Sequence, residues 1–470
     1  VGQLPVADIE WLPFGGLPLP LLILFAVAFL IILMMLIWTG FLFFAGRRAD
    51  RNPPEPGGEE LFEWIFLVPA LNEEVTIRDS VERLEQIELP RKQIVVINDG
   101  SDDGTAEVLA GISNPDLSVI ERRPPDARKG KAAALNYAFA EILRRRPDLD
   151  PDMTIICVVD ADGRISSDGP RFVASHFGEP HVGGVQTLVR IYNRHGILTW
   201  FQDIEFSIYG RLFQAGRNKW GTPGMGGNGQ YNRLSALSSI DTSKPASAGG
   251  RTPPAPLYAP GAGPPGNAIT GPGSGGPWRD RLTEDQDLGL RLILAGWHMR
   301  QDNRATVNQQ GLSNLRRLLR QRTRWSQGNL QAMALIAPIL RSSVRPAPRL
   351  ELVLYLLTPI FQGIVGVSLV ASAVLFATGT PIIAKDYLWW LGFIYVLGFG
   401  GTLLGCIGAR LEGGFTLLGL IKGVATAQVY AFYSWLLWPV LVRSTIRQVF
   451  RRDSWAKTAR EQIRTQSDAT

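Results

Sequence analysis

Cysteine and histidine are scarce in this chain, and charge is low. Two cysteines, Cys157 and Cys406, stand far apart in 470 residues, each inside an apolar run. That excludes a disulfide-stapled scaffold and a cysteine zinc site, and it reads as two buried free thiols. The four histidines, His176, His181, His195 and His298, show no HExxH or comparable spacing. Any metal is then a hard ion held by carboxylates. Charged residues make up 19% of the chain, against a usual share of about 25%. The net charge is only +6, and the basic residues cluster beside apolar segments. Attraction to anionic lipid accounts for that placement, so a nucleic-acid partner is not expected.

What the chain has in quantity is apolar sequence: 46% hydrophobic residues and a mean hydropathy of +0.06. That is too high for an ordinary soluble enzyme and too low for a chain that is membrane throughout. The length allows two to three domain-sized units. Leu21 to Phe44 is continuously apolar, enough to cross about 30 Å of hydrocarbon. Acidic Asp8 and Glu10 precede it in place of a basic n-region, so it does not read as a cleaved signal peptide. Arg47, Arg48 and Arg51 follow at once. The positive-inside rule puts residues 1–20 outside, a helix at 21–45 across the membrane and the centre of the chain in the cytoplasm.

Three more apolar segments, Leu350–Ala377, Tyr387–Gly408 and Phe415–Val442, predict about three spans over 349–442 and a multi-pass integral membrane protein. Pro359 predicts a kink in the first, and Pro439 lies near the end of the last. Three spans would carry the 443–470 tail outside, yet its Arg443, Arg447, Arg451, Arg452 and Lys457 favour the inside. Either one segment is interfacial or re-entrant, or a span is miscounted. Two stretches, Ile197–Phe213 and Leu312–Ala337, mix basic and apolar residues, so residues 311–348 read as interfacial helices.

Residues 60–310 read as an α/β domain. Trp64–Val68, Gln93–Ile97 and Thr154–Val159 are short apolar runs, with helix-like stretches Glu74–Gln86 and Lys131–Arg146 between them. Continuous apolar strands alternating with helices indicate a mostly parallel sheet covered on both faces. Ligands of such sheets bind beyond the carboxyl ends of the strands. Those ends carry Asn72-Glu73-Glu74, Asp99, and Asp160 with Asp162. Asp241 to Pro277 is mainly Gly, Pro, Ala and Ser. It cannot bury enough apolar surface to order itself and reads as a surface insertion.

Several short patterns carry chemistry. Asp160-Ala161-Asp162 after a buried strand can turn two carboxylates toward one Mg2+ or Mn2+, an ion that keeps phosphate oxygens as further ligands. Thr283-Glu284-Asp285 opens a helix and offers a general base, or simply an N-cap. Gln321-x-x-Arg324-Trp325 sets a phosphate-binding fork beside a flat stacking face, or belongs to a basic helix on a membrane surface. Each pattern alone is weak.

Their order is not. Pro69-Ala-Leu-Asn72-Glu73-Glu74, Asn98-Asp99-Gly100-Ser101-x-Asp103-Gly104-Thr105, Lys129-Gly130-Lys131-Ala-Ala-Ala-Leu135-Asn136, Asp160-x-Asp162, Thr283-Glu284-Asp285 and Gln321-x-x-Arg324-Trp325 follow one another along the chain. With these the chain resembles the inverting family-2 glycosyltransferases of GT-A fold, most closely the membrane-embedded branch containing cellulose, chitin, hyaluronan and mannan synthases. The resemblance covers residues 60–340 and the flanking spans. It implies a Rossmann-like, mostly parallel α/β domain plus transmembrane and interfacial helices. It implies that Asn72, Glu73 and Asp99 line the base and ribose of a nucleotide-sugar donor, a UDP-sugar first of all, with Lys129 and Lys131 near the nucleotide. Asp160 and Asp162 would bind the divalent ion and diphosphate. Asp285, with Glu284 beside it, would be the catalytic base. Gln321, Arg324 and Trp325 would close over diphosphate and acceptor. Gly227, Asn228 and Gln230 sit where the family has its acceptor-facing loop. Here the chain departs from the cellulose-synthase form, and the glycine-rich insertion is a second departure.

The chemistry asked of such residues is simple. Charge builds on the leaving diphosphate, so a cation and arginine belong there. The acceptor hydroxyl is a poor nucleophile, so a carboxylate should take its proton. Three readings stand: a processive polysaccharide synthase with coupled translocation, a single-addition transferase acting on a membrane lipid, and a non-catalytic subunit keeping the fold. The last predicts lost carboxylates, and all are present. Accessory subunits are left open.

Overall fold

The computed structural model of the chain describes residues 17–243, 275–379, 389–411 and 414–451. The segment 1–16, the insertion over 244–274 and the tail from 452 onward, each given an expectation above, lie outside the described residues. The chain divides into two compact units, one made of Val1–Phe43 and Leu357–Leu436, the other of Phe44–Leu356 and Leu437–Thr470.

The larger unit is built on one eight-stranded sheet: β1 (Glu63–Ala70), β2 (Lys92–Asn98), β3 (Leu117–Glu121), β4 (Thr154–Val158), β5 (Arg164–Ile165), β6 (Val182–Ile191), β7 (Gln230–Arg233) and β8 (His298–Gln309). The strand order is β3-β2-β1-β4-β7-β6-β8-β5. β1 pairs in parallel with β2 and β4, and β2 with β3. β7 is antiparallel to β4 and β6, while β6 and β8 are parallel. The expected mostly parallel, doubly covered sheet is present, with an antiparallel insertion that the apolar runs did not announce.

Trp64, Phe66 and Val68 of β1 point into one core with Ile94, Val96, Ile155 and Cys157. Ile65 and Leu67 point into the other with Val95, Ile97, Ile156, Val158 and the inner face of the helix Lys131–Arg145. All these strand residues are at most 1% exposed, and each large one contributes roughly 1.5–3 kcal/mol of burial. The three strands read from sequence are therefore apolar without alternation because both faces are buried. Cys157 is a buried free thiol, as expected. The stems of the insertion are fastened to the sheet's helices. Arg291, wholly buried, pairs with Asp287 at 2.6 Å and donates to the carbonyls of Ile240 and Pro277. Asn136 holds the backbone of Trp278 through both its amide atoms.

In the smaller unit the helices Trp389–Arg410 and Leu417–Leu436 pack closely. A Cβ on Gly423 would lie 2.7 Å from the Ile407 Cα, the close backbone approach that small residues allow between apolar helices. Among the described residues, two helices are long and apolar enough to cross a membrane, Leu19–Arg51 and Pro346–Ala377. Pro359 lies within the second without ending it. The stretch expected as one span over Phe415–Val442 is not one helix. It breaks after Leu436, and a new helix, Trp438–Val449, belongs to the larger unit. Pro439 sits in the first turn of the new helix, where its missing N–H costs nothing. That last helix packs on Leu315–Ala332, with Arg447 Nε donating to Gln327 Oε1 at 3.0 Å and Ser444 Oγ 2.7 Å from Ser326 Oγ.

Candidate active site

The carboxyl ends of β1 and β2 lie side by side, and their loops grip each other. Asn72 takes a left-handed φ of 54°, which Asn tolerates better than most residues. From there its side chain accepts from the Asp102 N–H at 3.0 Å and donates to Asp102 Oδ1 at 2.5 Å. The Glu73 N–H donates to Thr105 Oγ1 at 2.8 Å, and Glu74 Oε2 accepts from the Gly104 N–H at 2.8 Å. Glu73 is itself buried and takes the Thr76 hydroxyl at 2.9 Å. Asp99, also buried, is paired with Arg122, a residue the sequence patterns did not single out. Burial pushes the Asp99 carboxyl up, and the Arg122 guanidinium opposes that shift.

The centre of the site is Lys131, at the start of the helix Lys131–Arg145 after Gly130 in positive φ. Its Nζ donates to Asp160 Oδ1 at 2.6 Å and to the Gly227 carbonyl at 2.9 Å, and stands 3.7 Å from Glu284 Oε1. Burial works to lower the ammonium's pKa, but Asp160, Glu284 and Asp285 together outweigh it and hold it above the usual lysine value. Lys129, two residues earlier, is exposed and pairs with Asp126 at 3.0 Å.

Asp160 and Asp162 follow β4. The Asp160 N–H donates to Asn228 Oδ1 at 3.1 Å. Asp162 is 3% exposed, and its Oδ2 accepts from the Gln310 N–H at 3.0 Å. Asn228 further donates to Gln309 Oε1 at 3.0 Å, so its side chain ties the end of β4 to the end of β8. Gln230 lies on β7 with no exposed surface. The part of the Gly226–Gln230 loop that meets the carboxylates is Gly227: a Cβ there would stand 2.9 Å from Asp285 Oδ2, and its carbonyl accepts from Lys131 Nζ.

Asp285 sits in the first turn of the helix Glu284–Leu294, where the Gln286 N–H donates to its Oδ1 at 2.9 Å. Burial, then the neighbouring Glu284 charge, pushes its carboxyl up to about 7, against the pull of Lys131. A carboxylate poised there can hold a proton near neutral pH, as a general base requires. The preceding Thr283 nests on Gly328 of the helix Leu315–Ala332. A Cβ on Gly328 would come within 2.4 Å of Thr283 Oγ1. The same helix carries Gln321, Arg324 and Trp325. The buried Arg324 Nε–H has no hydrogen-bond partner among the described residues. Trp325 packs edge-on to Phe206 at 6.1 Å, with the Arg322 guanidinium 4.1 Å over its ring. Arg322 is anchored by Glu205 at 2.7 Å.

Residues 64–328, which contain every one of these groups, match the family described as glycosyltransferase-like family 2. The chain belongs to that family. It is an enzyme of glycosyltransferase type with a GT-A fold. The chain is 28% identical over 320 residues to probable glycosyltransferase YdaM of Bacillus subtilis, covering 65% of this chain and 66% of that protein. It is 25% identical over 272 residues to the poly-beta-1,6-N-acetyl-D-glucosamine synthase of Staphylococcus epidermidis, covering 57% of this chain and 55% of that one. The chain thus spans about two thirds and about half of these relatives. The fold is shared with the mannosyltransferase PcManGT of Pyrobaculum calidifontis, solved with GDP-Man and Mn2+. That likeness has a TM-score of 0.56 at 17% identity and covers 92% of this chain and 98% of that one.

Proposed function

We propose that this family member is a membrane-bound inverting transferase that moves a sugar from a nucleotide-diphosphate sugar, a UDP-sugar first of all, to a hydroxyl of a growing β-linked polysaccharide. The observation that carries the reading is the position of Asp285: a carboxylate pushed up to about 7, beside the Lys131–Asp160 pair and the Gly227 turn. The acceptor oxygen attacks the anomeric carbon as its proton passes to the Asp285 carboxylate. The bond from that carbon to the diphosphate breaks, and the diphosphate leaves with the electron pair. One displacement inverts the centre, and no covalent sugar–enzyme intermediate is needed.

The donor set fits a hard divalent cation. Asp160 and Asp162 offer oxygen ligands one residue apart, and among the described residues no group of three or more His, Cys, Asp or Glu side chains converges. Two carboxylates suit Mg2+ or Mn2+ that takes its remaining ligands from phosphate and water. Bound there, the ion would neutralise charge on the leaving diphosphate. Lys131 and the Arg324 fork supply positive charge from the chain itself. Asn72, Glu73, Asp99 and Lys129 shape the nucleotide side, and Gln321 and Trp325 the diphosphate and acceptor side.

Passage of the polymer through the chain's own apolar helices, a multi-pass membrane location with the catalytic unit in the cytoplasm, and any accessory subunit belong to the same proposal. It is tested by a donor screen with UDP- and GDP-sugars on the full chain in nanodiscs, with product sized on a gel. A ladder or high-mass glycan supports the reading. A single sugar on extractable lipid overturns the polymer acceptor, and no transfer from any nucleotide sugar overturns the whole.

A further inference from the structure

Two polar residues lie inside a stretch that sequence alone marks as apolar span. Glu351 and Tyr355 are one turn apart on the helix Pro346–Ala377, in the part that belongs to the larger unit. Glu351 is 1% exposed. Its Oε1 lies 2.7 Å from Arg217 Nε, and its Oε2 accepts from Thr222 Oγ1 at 2.7 Å. The Arg217 guanidinium stands 4.2 Å over the Tyr355 ring.

Both ends of this cluster reach the base. On one side the Tyr355 hydroxyl accepts from Gln286 Nε2 at 3.1 Å, Gln286 Oε1 accepts from Thr283 Oγ1 at 3.2 Å, and the Gln286 N–H holds Asp285 Oδ1. On the other, Arg217 Nη1 donates to Gln214 Oε1 at 3.3 Å, which also accepts from the Gly224 N–H at 2.9 Å. Gly224 opens the loop whose Gly227 abuts Asp285.

Neither feature is what stability alone would select. Apolar packing is often as stable as a buried ion pair, whereas a pair of this kind fixes the register of the elements it joins. The spacing Thr283-x-x-Gln286 suits a reciprocal capping box, yet no side chain caps the helix here. The Gln286 amide is instead turned to Thr283 and Tyr355.

We infer that Glu351 and Tyr355, acting through Arg217 and Gln286, are positioning residues for Asp285, fixing the start of its helix and the Gly224–Gly229 loop against one helical turn. The inference rests on Asp285 being the base. Neither residue needs to touch donor or acceptor.

The test is single-turnover and steady-state kinetics of the full chain in nanodiscs for Tyr355→Phe, Glu351→Gln, Asp285→Asn and the Tyr355→Phe/Asp285→Asn double variant, with nucleotide-diphosphate binding and thermal unfolding alongside. Tyr355→Phe keeps the ring over Arg217 and should lower kcat roughly 2- to 10-fold, the worth of one neutral hydrogen bond, with donor KM unchanged. Glu351→Gln should lower kcat further, since it loosens both the loop and the base. In the Asp285→Asn background Tyr355→Phe should leave the residual rate unchanged, because its effect passes through the base. Unchanged turnover in Tyr355→Phe, or an equal loss with and without Asp285, overturns the inference. So does a fall in kcat matched by donor binding and melting temperature. Near-normal turnover in Asp285→Asn alone would instead remove the base reading. If Glu351→Gln fails to fold, the milder Tyr355→Phe pair of measurements decides.

Discussion

Gly227 and Asp285 approach so closely that a Cβ on Gly227 would stand 2.9 Å from Asp285 Oδ2. Gly227 also has a φ of 61°, in the left-handed region that costs other residues about 1–2 kcal/mol. Gly227→Ala therefore strains the loop and rotates the carboxylate. Transfer should fall at least about tenfold, since small misplacements of a reacting group are expensive. Nucleotide-diphosphate binding should change little. Equal transfer rates for Gly227→Ala and the unaltered chain would show that this approach has no bearing on the reaction.

The raised carboxyl of Asp285 gives a pH dependence with a definite sign. Burial, then Glu284, lifts it from 3.8 to about 7. As the proposed base, Asp285 works only when ionised, so kcat should climb through an acid limb near pH 7 and level off above it. Stability runs the other way. A carboxyl whose folded pKa is raised contributes stability that is full below pH 3.8 and lost as pH rises through about 7. Asp285→Asn should thus lose at least about 10²-fold in turnover and gain thermal stability at pH 8 relative to pH 5. Melting curves and rates at both pH values check the pair of effects.

How much of this was legible in the sequence depends on what each segment buries. β1, β2 and β4 could be read because both their faces are apolar. β8 could not: its Asp302 is buried, held by His176 from a distant segment and by Arg304 two residues along the strand, while Asn218 takes the Gln301 N–H. Such a strand looks like a polar loop until its partners are known. The split at Leu437 was announced by Pro439 but masked by the apolar residues on both sides. In the site, Asp160, Lys131, Glu284 and Asp285 carry local patterns, and the structure brings them within one cluster. Arg122, Arg217, Glu351 and Tyr355 had no pattern of their own. Their significance lies in pairings across 23 and 134 positions, and those distances exist only after folding. Glu351 did leave one faint signal, a carboxylate at the edge of an apolar run.

Asp162 offers a cleaner metal test than truncation would. Its Oδ2 accepts from the Gln310 N–H at 3.0 Å, a bond that an amide oxygen can keep. Asp162→Asn should therefore preserve the fold while removing one negative charge from the proposed metal site. Titration of nucleotide diphosphate with and without Mn2+ should show metal-enhanced binding in the unaltered chain and a loss of most of that enhancement in the variant. Chelation should abolish transfer. Metal-independent binding of equal strength in both proteins would remove Asp160 and Asp162 from the metal role.

Trp325 separates two uses of an interfacial aromatic. Its ring is held in the catalytic unit by Phe206 edge-on at 6.1 Å and by the Arg322 guanidinium at 4.1 Å. A phenyl ring in its place keeps an apolar face for both neighbours and for lipid, so an anchoring role should survive Trp325→Phe with activity intact. What phenylalanine lacks is the indole N–H and part of the stacking area. If an acceptor sugar uses them, the change should cost about 1–3 kcal/mol of acceptor interaction, seen as a raised KM for acceptor at constant nucleotide-diphosphate affinity. Because Arg322 already stacks on the ring and is itself tied to Glu205 at 2.7 Å, the indole is pre-oriented and pays little entropy to meet a sugar, which favours the acceptor role. Initial rates at limiting acceptor that match the unaltered enzyme would assign Trp325 to anchoring alone.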